Sequence, residues 1–538
     1  MALLLVTIVV SSTEALTAQP TRSYRVSRVA APTPQLNGRW GDRLATAGNL
    51  NGDRVKDIWV GVYREDLPGA ENAGRVYAIS GKNGSVLYRI DSPEPQGEPE
   101  SARPQWAGFG WGISNLGDVD RDGRNDLVAG SVRHDVYTGT GAPCGAPEPN
   151  GCNENQGKAW VFSGRTGRLL YALDNPSPQG SARNPAHFGW GATAGDVNRD
   201  GVSEVLIGAT GNDFPAGCGD RNPLPAGCRI DQGQAFIFNG KNGRLIRTLN
   251  VPSEDRDVTN TGACLTNCGG LGIVAQGPGD VNRDRVADQL VSAWTYNFPT
   301  GPNPQCFAQQ PVNCNPAQGR LYVYSGTNGR VLRKIDNPEP QANARLWGGI
   351  AEAFAPGDVN RDGFADIFGQ GFQQNGPAGE AQGKGWVFSG RTGRALYSLN
   401  DPSPEPGGQF AYALAKTNYN RDRFPDLYLG SSPHHVPGTP QSGGTYVFNG
   451  RNGRLLRAFE LPQADRQHGV AEPRNVGPNM GRAVAAPGDV NGDRQPDYVT
   501  SAPNLDVGQD VDQGVVYFFR SRKPARTRST ARPRRATR

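Results

Sequence analysis

One nine-residue pattern of acids and amides constrains this chain more than any other feature, because it occurs seven times within 538 residues. Its general form is D-x-N-x-D-x-x-x-D. The copies begin at Asn49, Asp118, Asp196, Asp280, Asp358, Asn418 and Asp489, with successive separations of 69, 78, 84, 78, 60 and 71 residues. Self-similarity at a nearly constant period indicates a fold built from repeated supersecondary units.

Each copy lies in the same local context. An apolar run such as residues 127–130 follows it, then a variable loop, a β-prone run such as 159–162, a Gly-x-x-Gly turn and a further run such as 169–173. Asn-Gly and Thr-Gly turns between β-prone runs are hairpin signals, since such turns need a residue at positive φ. Four strands per repeat make one propeller blade, so the sequence predicts an all-β, seven-bladed β-propeller of four-stranded blades.

The two ends of the repeat region predict how the ring closes. The seventh repeat has a third strand at residues 515–519 but no fourth, whereas residues 24–35 (YRVSRVAAPTPQ) resemble the fourth strand and exit of the first repeat at residues 87–96 (LYRIDSPEPQ). We therefore predict that an N-terminal strand completes the last blade, which removes an open sheet edge. The predicted organisation is a signal peptide at 1–18, one propeller at 22–519 and a disordered basic tail at 520–538.

Composition agrees with this organisation. The chain has 73 Gly and 43 Pro, the poorest helix formers, which disfavours long helices. Its net charge of +5 comes from nine basic residues and no acid in residues 520–538, which leaves the remainder at −4. Because a nucleic-acid-binding domain carries its basic residues on a folded face, we expect no nucleic-acid partner. For the tail, the alternatives are contact with an anionic envelope surface and an inert terminus.

The N-terminus predicts export. Residues 2–10 are apolar, and small and polar residues follow as far as Ala18, which is typical of a signal peptide cleaved after Ala15 or Ala18. The apolar run is too short to span a membrane, and no other run approaches 18 residues, so we expect no transmembrane segment. The predicted location is secreted or at the cell surface, in a periplasmic or extracellular compartment.

The eight cysteines fall into four close pairs and agree with an oxidising compartment. The pairs are Cys144 and Cys152, Cys218 and Cys228, Cys264 and Cys268, and Cys306 and Cys314. Zinc binding is the alternative interpretation, but the spacings lack regular zinc-site pairing and no His is adjacent. We predict local disulfides that hold long loops.

The nine-residue loops predict metal sites. Positions 1, 3, 5 and 9 supply side-chain oxygens and position 7 a backbone carbonyl, a donor set that suits calcium better than the stricter octahedron of magnesium. Good turn formation by Asp, Asn and Gly is the alternative interpretation, but seven matching copies favour calcium. We predict up to seven Ca2+ ions. The predicted ligands are Asn49, Asn51, Asp53, Asp57, Asp118, Asp120, Asp122, Asp126, Asp196, Asn198, Asp200, Glu204, Asp280, Asn282, Asp284, Asp288, Asp358, Asn360, Asp362, Asp366, Asn418, Asn420, Asp422, Asp426, Asp489, Asn491, Asp493 and Asp497.

The seven sites are expected to differ in occupancy. The second loop has carboxylates at all four side-chain positions, whereas the first and sixth have Asn at two of them. Position 6 is arginine in four loops, where a left-handed turn would cost a non-Gly residue ~1 to 2 kcal/mol. These arginines are Arg54, Arg285, Arg423 and Arg494.

Together these features resemble the FG-GAP repeats of the integrin alpha-subunit β-propeller, over nearly all of residues 22–519. The Phe-Gly element stands only in the second and third repeats, and Gly-Ala-Pro is degraded to forms such as Ser501-Ala502-Pro503. The resemblance implies that the calcium loops join the first and second strands of each blade and are structural. It does not extend to leg domains, a membrane helix or a β-subunit partner, so we expect a secreted, stand-alone and monomeric form.

A ligand surface is predicted on the face opposite the calcium loops. The loops between second and third strands are long in blades 2, 3 and 4, at residues 131–157, 209–233 and 293–319, and length variation on a rigid scaffold usually marks binding. The predicted ligand residues are His134, Tyr137, Phe214, Trp294, Tyr296, Phe298 and Phe307. The alternative is that these aromatic side chains fold inward and fill the loops.

No catalytic motif stands out, because the sequence contains no HExxH, G-x-S-x-G, P-loop or dinucleotide fingerprint. We interpret His434-His435 as an exposed loop pair and expect no catalytic residues. The favoured function is adhesion or binding of an extracellular protein or glycan. The alternative is an extracellular lyase or hydrolase that acts on polysaccharide.

Overall fold

The computed structural model describes residues 22–96, 108–139, 144, 151–179, 185–216, 218, 228–255, 269–301, 313–341, 349–350, 352–432, 442–466 and 477–522. Within these residues the chain forms seven four-stranded antiparallel sheets and almost no helix, apart from a short 3-10 turn at Gln463–Asp465. Innermost strands of neighbouring sheets contact one another around a closed ring. The all-β fold with seven four-stranded blades is confirmed.

The first four blades follow chain order, each with its first strand innermost. Blade 1 contains β2 (Arg43–Gly48), β3 (Asp57–Val62), β4 (Arg75–Ile79) and β5 (Val86–Asp91). Blade 2 contains β6 (Gly112–Gly117), β7 (Asp126–Ser131), β10 (Lys158–Phe162) and β11 (Leu169–Leu173). Blade 3 contains β12 (Phe188–Gly195), β13 (Glu204–Ala209), β14 (Gln234–Phe238) and β15 (Leu245–Asn250). Blade 4 contains β16 (Gly269–Gly279), β17 (Asp288–Thr295), β20 (Arg320–Tyr324) and β21 (Val331–Asp336).

The remaining blades continue the order, and two hairpins stand apart from them. Blade 5 contains β22 (Glu352–Gly357), β23 (Asp366–Gly371), β24 (Lys384–Phe388) and β25 (Ala395–Asn400). Blade 6 contains β26 (Phe410–Thr417), β27 (Asp426–Ser431), β28 (Gly444–Phe448) and β29 (Leu455–Glu460). Blade 7 contains β30 (Val484–Gly488), β31 (Asp497–Ala502) and β32 (Val515–Ser521), completed by β1 (Tyr24–Ala30). The extra hairpins are β8 (Val136–Tyr137) with β9 (Cys152–Asn153), and β18 (Phe298–Pro299) with β19 (Cys314–Asn315).

The ring closes as predicted, by a strand from the N-terminus. Strand β1 pairs antiparallel with β32, from Tyr24 opposite Ser521 to Ala30 opposite Val515. Strand β32 therefore runs past the predicted boundary at residue 519, because Ser521 still pairs with Tyr24. The predicted signal peptide and residues 523–538 of the predicted tail lie outside the described residues, and both stay predictions.

The middle strands of each blade form the core. Every residue of β3, β7, β13, β23, β27 and β31 is buried, because neighbouring blades cover both faces of these strands. Fourth strands lie at the rim and alternate between buried and exposed residues, as in β11. First strands line a central channel of about 1230 Å³. The apolar sheet faces thus stabilise the fold by packing blade against blade.

Glycines allow the backbones of neighbouring blades to touch. A Cβ atom on Gly130 of blade 2 would lie 1.9 Å from the carbonyl oxygen of Gly189 in blade 3, and one on Gly208 would lie 1.6 Å from that of Gly272 in blade 4. The Phe-Gly segment before a first strand therefore packs against the second strand of the preceding blade. This contact explains the glycine near the end of each of these second strands.

Candidate functional site

All seven acidic loops connect the first strand of a blade to its second strand, as predicted. In each loop the ninth residue is also the first residue of the second strand, as Asp57 is in β3 and Asp126 in β7. The strand ladder therefore fixes one end of every loop. Because the blades are related around the ring, the seven loops form one repeated face.

Carboxylates converge within these loops. In the second loop, oxygens of Asp118, Asp120 and Asp122 lie within 4.8 Å of one another, and in the third loop those of Asp196, Asp200 and Glu204 do so. The first carboxylate also orders the loop, since Asp118 accepts hydrogen bonds from the N–H groups of Asp122 and Gly123, both at 2.9 Å. Clustered oxygen donors without nitrogen or sulfur are the chemistry that a hard divalent cation prefers.

The ninth carboxylate has a second role that the sequence pattern did not reveal. In blade 2, Asp126 Oδ2 accepts from Val119 N at 2.6 Å, and Oδ1 accepts from Gly164 N at 2.8 Å, in the turn between the third and fourth strands. The equivalent turn residue donates to the ninth carboxylate in five other blades. These pairs are Gly81 with Asp57 at 3.0 Å, Gly326 with Asp288 at 3.0 Å, Gly390 with Asp366 at 3.1 Å, Gly450 with Asp426 at 3.1 Å, and Ser521 with Asp497 at 2.7 Å. The ninth carboxylate thus ties the acidic loop to a distant turn.

Burial perturbs the titration of these ninth carboxylates. It raises the pKa of Asp126 and of Glu204 to about 7, although backbone hydrogen bonds oppose the shift. The pKa values of Asp288, Asp366 and Asp426 are raised to about 6 for the same reason. The protein groups around these carboxylates therefore stabilise the ionised form only in part.

Two positions of each loop adopt left-handed backbone conformations. Position 6 was expected to do so, and Arg54, Arg285 and Arg494 have φ of 70°, 67° and 65°, whereas Arg423 is not among the left-handed residues of the described chain. Position 4, which sequence reasoning missed, is left-handed in all seven loops. Its residues and φ values are Gly52 (86°), Arg121 (63°), Arg199 (62°), Arg283 (64°), Arg361 (63°), Arg421 (58°) and Gly492 (78°).

The arginines at position 4 also connect neighbouring loops. Arg121 of blade 2 donates to the backbone oxygen of Asp200 in blade 3 at 2.7 Å, and Arg199 donates to that of Asp284 in blade 4 at 2.8 Å. The Arg283 guanidinium lies 4.3 Å from the centre of the Phe364 ring in blade 5. Successive loops are therefore in direct contact around the ring.

The loops that begin with Asn differ from the others. In the sixth loop, Asn418 Nδ2 donates to the backbone oxygen of Asp422 at 2.8 Å, so the first side chain turns a donor toward the loop. In the first loop, Asn49 Oδ1 accepts from Gly52 N at 2.8 Å. An amide donor cannot ligate a cation. This arrangement agrees with the expected lower cation affinity of the sixth loop.

The opposite face carries the long loops of blades 2, 3 and 4. Disulfides join Cys144 to Cys152 and Cys218 to Cys228, which confirms two of the predicted pairs and excludes zinc at these thiolates. Cys314 is also disulfide-bonded, whereas Cys264, Cys268 and Cys306 lie outside the described residues. Short antiparallel pairings occur at the base of these loops, between β8 and β9, Phe214 and Arg229, and β18 and β19.

The predicted ligand residues occupy different environments. Tyr137 is 51% exposed, whereas His134 is 1% exposed, packs edge-on against Trp160 and lies 3.3 Å from Glu94 Oε2. Tyr296 accepts a hydrogen bond from Arg320 at 2.9 Å and packs its ring on the same guanidinium.

The other predicted ligand residues divide in the same way. Phe214, Trp294 and Phe298 are half-buried, and Phe307 and the His434-His435 pair lie outside the described residues. Inward packing, the alternative interpretation, therefore describes His134 and Tyr296, while Tyr137 faces solvent.

Sequence reasoning missed a cluster of arginines and aromatic rings at the channel mouth on this face. Arg43 and Arg133 both pack on Trp111, and Arg482 packs on Tyr412. Blades 1, 2, 6 and 7 contribute these residues, which are far apart in the sequence. The Phe-Gly-Trp-Gly segment is the only local signal that could have indicated part of the cluster.

The fold and loops together define a seven-bladed β-propeller with an acidic loop between the first two strands of every blade. In sequence, the chain is similar to integrin alpha subunits. Human integrin alpha-IIb is 29% identical over 189 residues, which covers 33% of this chain and 15% of that protein. Human integrin alpha-X is 34% identical over 94 residues, covering 18% of this chain and 8% of that protein.

An enzyme is also among the similar proteins. Phosphatidylinositol-glycan-specific phospholipase D of Rattus norvegicus is 29% identical over 149 residues, covering 27% of this chain and 17% of that protein. The chain thus spans less than a fifth of the length of these relatives. No family model matches the sequence. Among the described residues, no helix has the length and apolar character needed to cross a membrane.

Proposed function

We propose that this protein is a secreted, calcium-binding β-propeller that acts as an adhesion or ligand-binding module for an extracellular protein or glycan. The observation that carries the proposal is the difference between its two faces. One face repeats the same acidic loop in every blade, whereas the other carries disulfide-linked loops in blades 2 and 3. Blade-specific loops on a rigid scaffold usually bind ligands. The similarity to integrin alpha subunits supports the same role.

Calcium is the proposed cofactor, and its proposed role is structural. The side chains at positions 1, 3, 5 and 9 would hold the ion, because calcium accepts six to eight oxygens in loose geometry. A bound cation would supply positive charge next to the buried ninth carboxylates, whose ionised form the protein groups stabilise only in part. The acidic side chains are committed to this arrangement and to backbone hydrogen bonds, which argues against a role as general acids or bases.

Thermal unfolding tests the structural role of calcium. Removal of calcium with a chelator should lower the melting temperature by many degrees, and added calcium should restore it, because ions that bind only the folded ring stabilise it by mass action. Magnesium at the same concentration serves as the control and should restore less. An unchanged melting temperature after exhaustive chelation would refute structural calcium.

Ligand binding by the long loops is tested with side chains that the structure leaves accessible. We propose Tyr137→Ala combined with Phe298→Ala, and we omit His134 and Tyr296 because both pack inside the protein. Binding to a glycan and extracellular-protein array should be lost, while the calcium-dependent melting temperature stays within about 2 °C of wild type, as for other exposed sites. Leu169→Ala is the matched control, since Leu169 is 47% exposed on the outer rim.

A polysaccharide lyase or hydrolase is the second candidate function. The similarity to phosphatidylinositol-glycan-specific phospholipase D is the observation that favours an enzyme, although it covers 17% of that protein. We propose a binding protein without catalytic activity. Saturable binding without product formation would support this proposal, whereas turnover of a bound polysaccharide would contradict it.

A further inference from the structure

Five arginines surround the channel mouth on the face opposite the acidic loops. Arg39, Arg43, Arg64, Arg133 and Arg482 each lie shortly before a first strand or after a second strand. The topology brings both kinds of position to the same end of the channel. We call this cluster, with the aromatic rings that it contacts, the channel mouth. Its cationic groups come from blades 1, 2 and 7.

Aromatic rings hold three of the guanidinium groups in place. Arg43 and Arg133 lie 5.6 and 5.8 Å from the centre of the Trp111 ring, and Arg482 lies 4.2 Å from that of Tyr412. A guanidinium group that stacks through its face keeps its N–H edge for hydrogen bonding. Such donors are already ordered, which lowers the entropic cost of binding an anion.

Acidic groups at the mouth do not balance this positive charge. Asp42 is 1% exposed and lies 3.4 Å from Arg482 Nε and 3.8 Å from Arg43 Nη1. Although burial alone raises the pKa of Asp42, the nearby arginines hold it below its ordinary value. Burial raises the pKa of Glu352, the second acid here, despite Arg43 and Arg482. The mouth therefore keeps an excess of positive charge that favours an anionic ligand.

The mouth also contains neutral groups with unused hydrogen-bonding capacity. Gln370 is 1% exposed and donates to Glu352 Oε2 at 2.9 Å, yet its Oε1 has no hydrogen-bond partner in the described part of the chain. The buried Nε1 of Trp111 likewise has none among these residues. Buried polar groups normally have partners. One acceptor and one donor thus remain beside the arginines.

This combination distinguishes between two kinds of acidic ligand. A carboxylate of an acidic peptide only accepts hydrogen bonds, so it would use the arginines but leave Gln370 Oε1 without a donor. A sugar acid has a carboxylate that accepts and ring hydroxyls that both donate and accept. The half-buried indoles of Trp111 and Trp190, with ring centres 6.4 Å apart, add apolar faces suited to the C–H groups of a pyranose ring.

We propose that the channel mouth binds a uronic acid residue of an acidic polysaccharide. The carboxylate lies against Arg43 and Arg133, and ring hydroxyls pair with Gln370 Oε1 and Trp111 Nε1. The adjoining channel of about 1230 Å³ leaves room for a sugar residue. This assignment rests on the proposed ligand-binding function and names the chemistry of one ligand and a site separate from the long loops.

Isothermal titration calorimetry of the full chain in calcium tests the assignment. The probes are oligogalacturonate, oligomannuronate and oligoglucuronate, each compared with the same oligosaccharide after reduction of its carboxylates to alcohols. At least one uronate should bind, and its reduced form should bind at least about ten-fold more weakly, because the charged hydrogen bonds are lost. Equal affinity for the reduced form, or no binding of any uronate, would overturn the proposal.

Variants locate the site on the ring. Arg133→Gln and Arg43→Gln should each weaken uronate binding about ten-fold or more, whereas Arg244→Gln, an exposed arginine on the calcium-loop face, should not. The melting temperature in calcium reports whether each variant folds, and Arg133→Gln keeps the test valid if Arg43→Gln does not fold. Wild-type affinity in a folded Arg133→Gln would overturn the proposal.

Two further comparisons separate this proposal from neighbouring ones. Polyglutamate that binds the mouth as tightly as the uronates would overturn the sugar assignment in favour of an acidic peptide. Loss of uronate binding in Tyr137→Ala with Phe298→Ala, but not in the arginine variants, would move the site to the long loops. That result overturns the mouth as the site while the proposed ligand-binding function stands.

Discussion

The double role of the ninth carboxylate gives a prediction that separates folding from ion binding. In Asp126→Asn, Oδ1 can still accept one hydrogen bond, but the amide Nδ2 must face one of two backbone donors, Gly164 N at 2.8 Å or Val119 N at 2.6 Å. Asp126 is fully buried, so water cannot replace the lost acceptor. The substitution therefore removes one charge-assisted hydrogen bond and leaves one buried N–H group without a partner.

The expected cost follows from these two losses. A hydrogen bond to a charged group contributes about 1.5 to 3 kcal/mol, and an unsatisfied buried donor costs about 1 to 3 kcal/mol, so we expect about 3 to 5 kcal/mol in total. For a ring of roughly 500 residues, the entropy of unfolding is about 1 kcal/mol/K. The melting temperature should therefore fall by about 3 to 5 °C, even after calcium has been removed.

Asp120→Asn is the matched control in the same loop. Asp120 is exposed, and its Oδ1 accepts from Asp122 N at 3.0 Å, a bond that an Asn side chain can keep. This variant should lower the melting temperature in calcium but not in chelator. Differential scanning calorimetry of both variants under both conditions decides the matter. A wild-type melting temperature for Asp126→Asn in chelator would refute the structural role, and a loss for Asp120→Asn in chelator would refute the separation.

Three further predictions concern the packing of the ring and its ion pairs. Gly130→Ala should lower the melting temperature by several degrees, because its Cβ would lie 1.9 Å from a backbone oxygen of the next blade, whereas Gly444→Ala, with its nearest contact at 3.5 Å, should not; equal effects would contradict backbone contact between blades. Arg121→Ala should weaken calcium binding measured by titration, because it releases the neighbouring loop at Asp200, and unchanged affinity would show that the loops act independently. The hydrogen bond from His134 and the Lys158 ion pair lower the pKa of Glu94 to about 2, so Glu94 stabilises the fold above its unfolded pKa and this stabilisation is lost as the pH falls toward 2. Glu94→Gln should cost about 1 kcal/mol near neutral pH after allowance for solvent screening, and chemical unfolding that shows the same difference at pH 3 would contradict this role.

Much of the fold follows from the sequence because its signals are local and repeated. Each acidic loop, β-prone run and glycine turn lies within a few residues of the next, and seven copies reduce the ambiguity of any single one. The N-terminal strand could be predicted as well, because it repeats the pattern of a fourth strand. The presence and order of the carboxylates were visible for the same reason.

The structure decided features that depend on residues far apart in the chain. Asp126 meets Gly164, 38 residues later, only because the third and fourth strands return beside the loop. Nothing in the order of residues marked His134 as buried, since the Glu94 and Trp160 contacts that enclose it come from other segments.

The sequence by itself therefore determined the number of blades, the closure of the ring and the positions of the acidic loops, because periodic patterns encode local structure. Only the tertiary structure brought Arg43, Arg133 and Arg482 together at the channel mouth. Their proximity arises from the closing of the ring, which places the ends of strands from different blades around one axis. No periodic pattern records that proximity, because each blade contributes a different residue to the mouth.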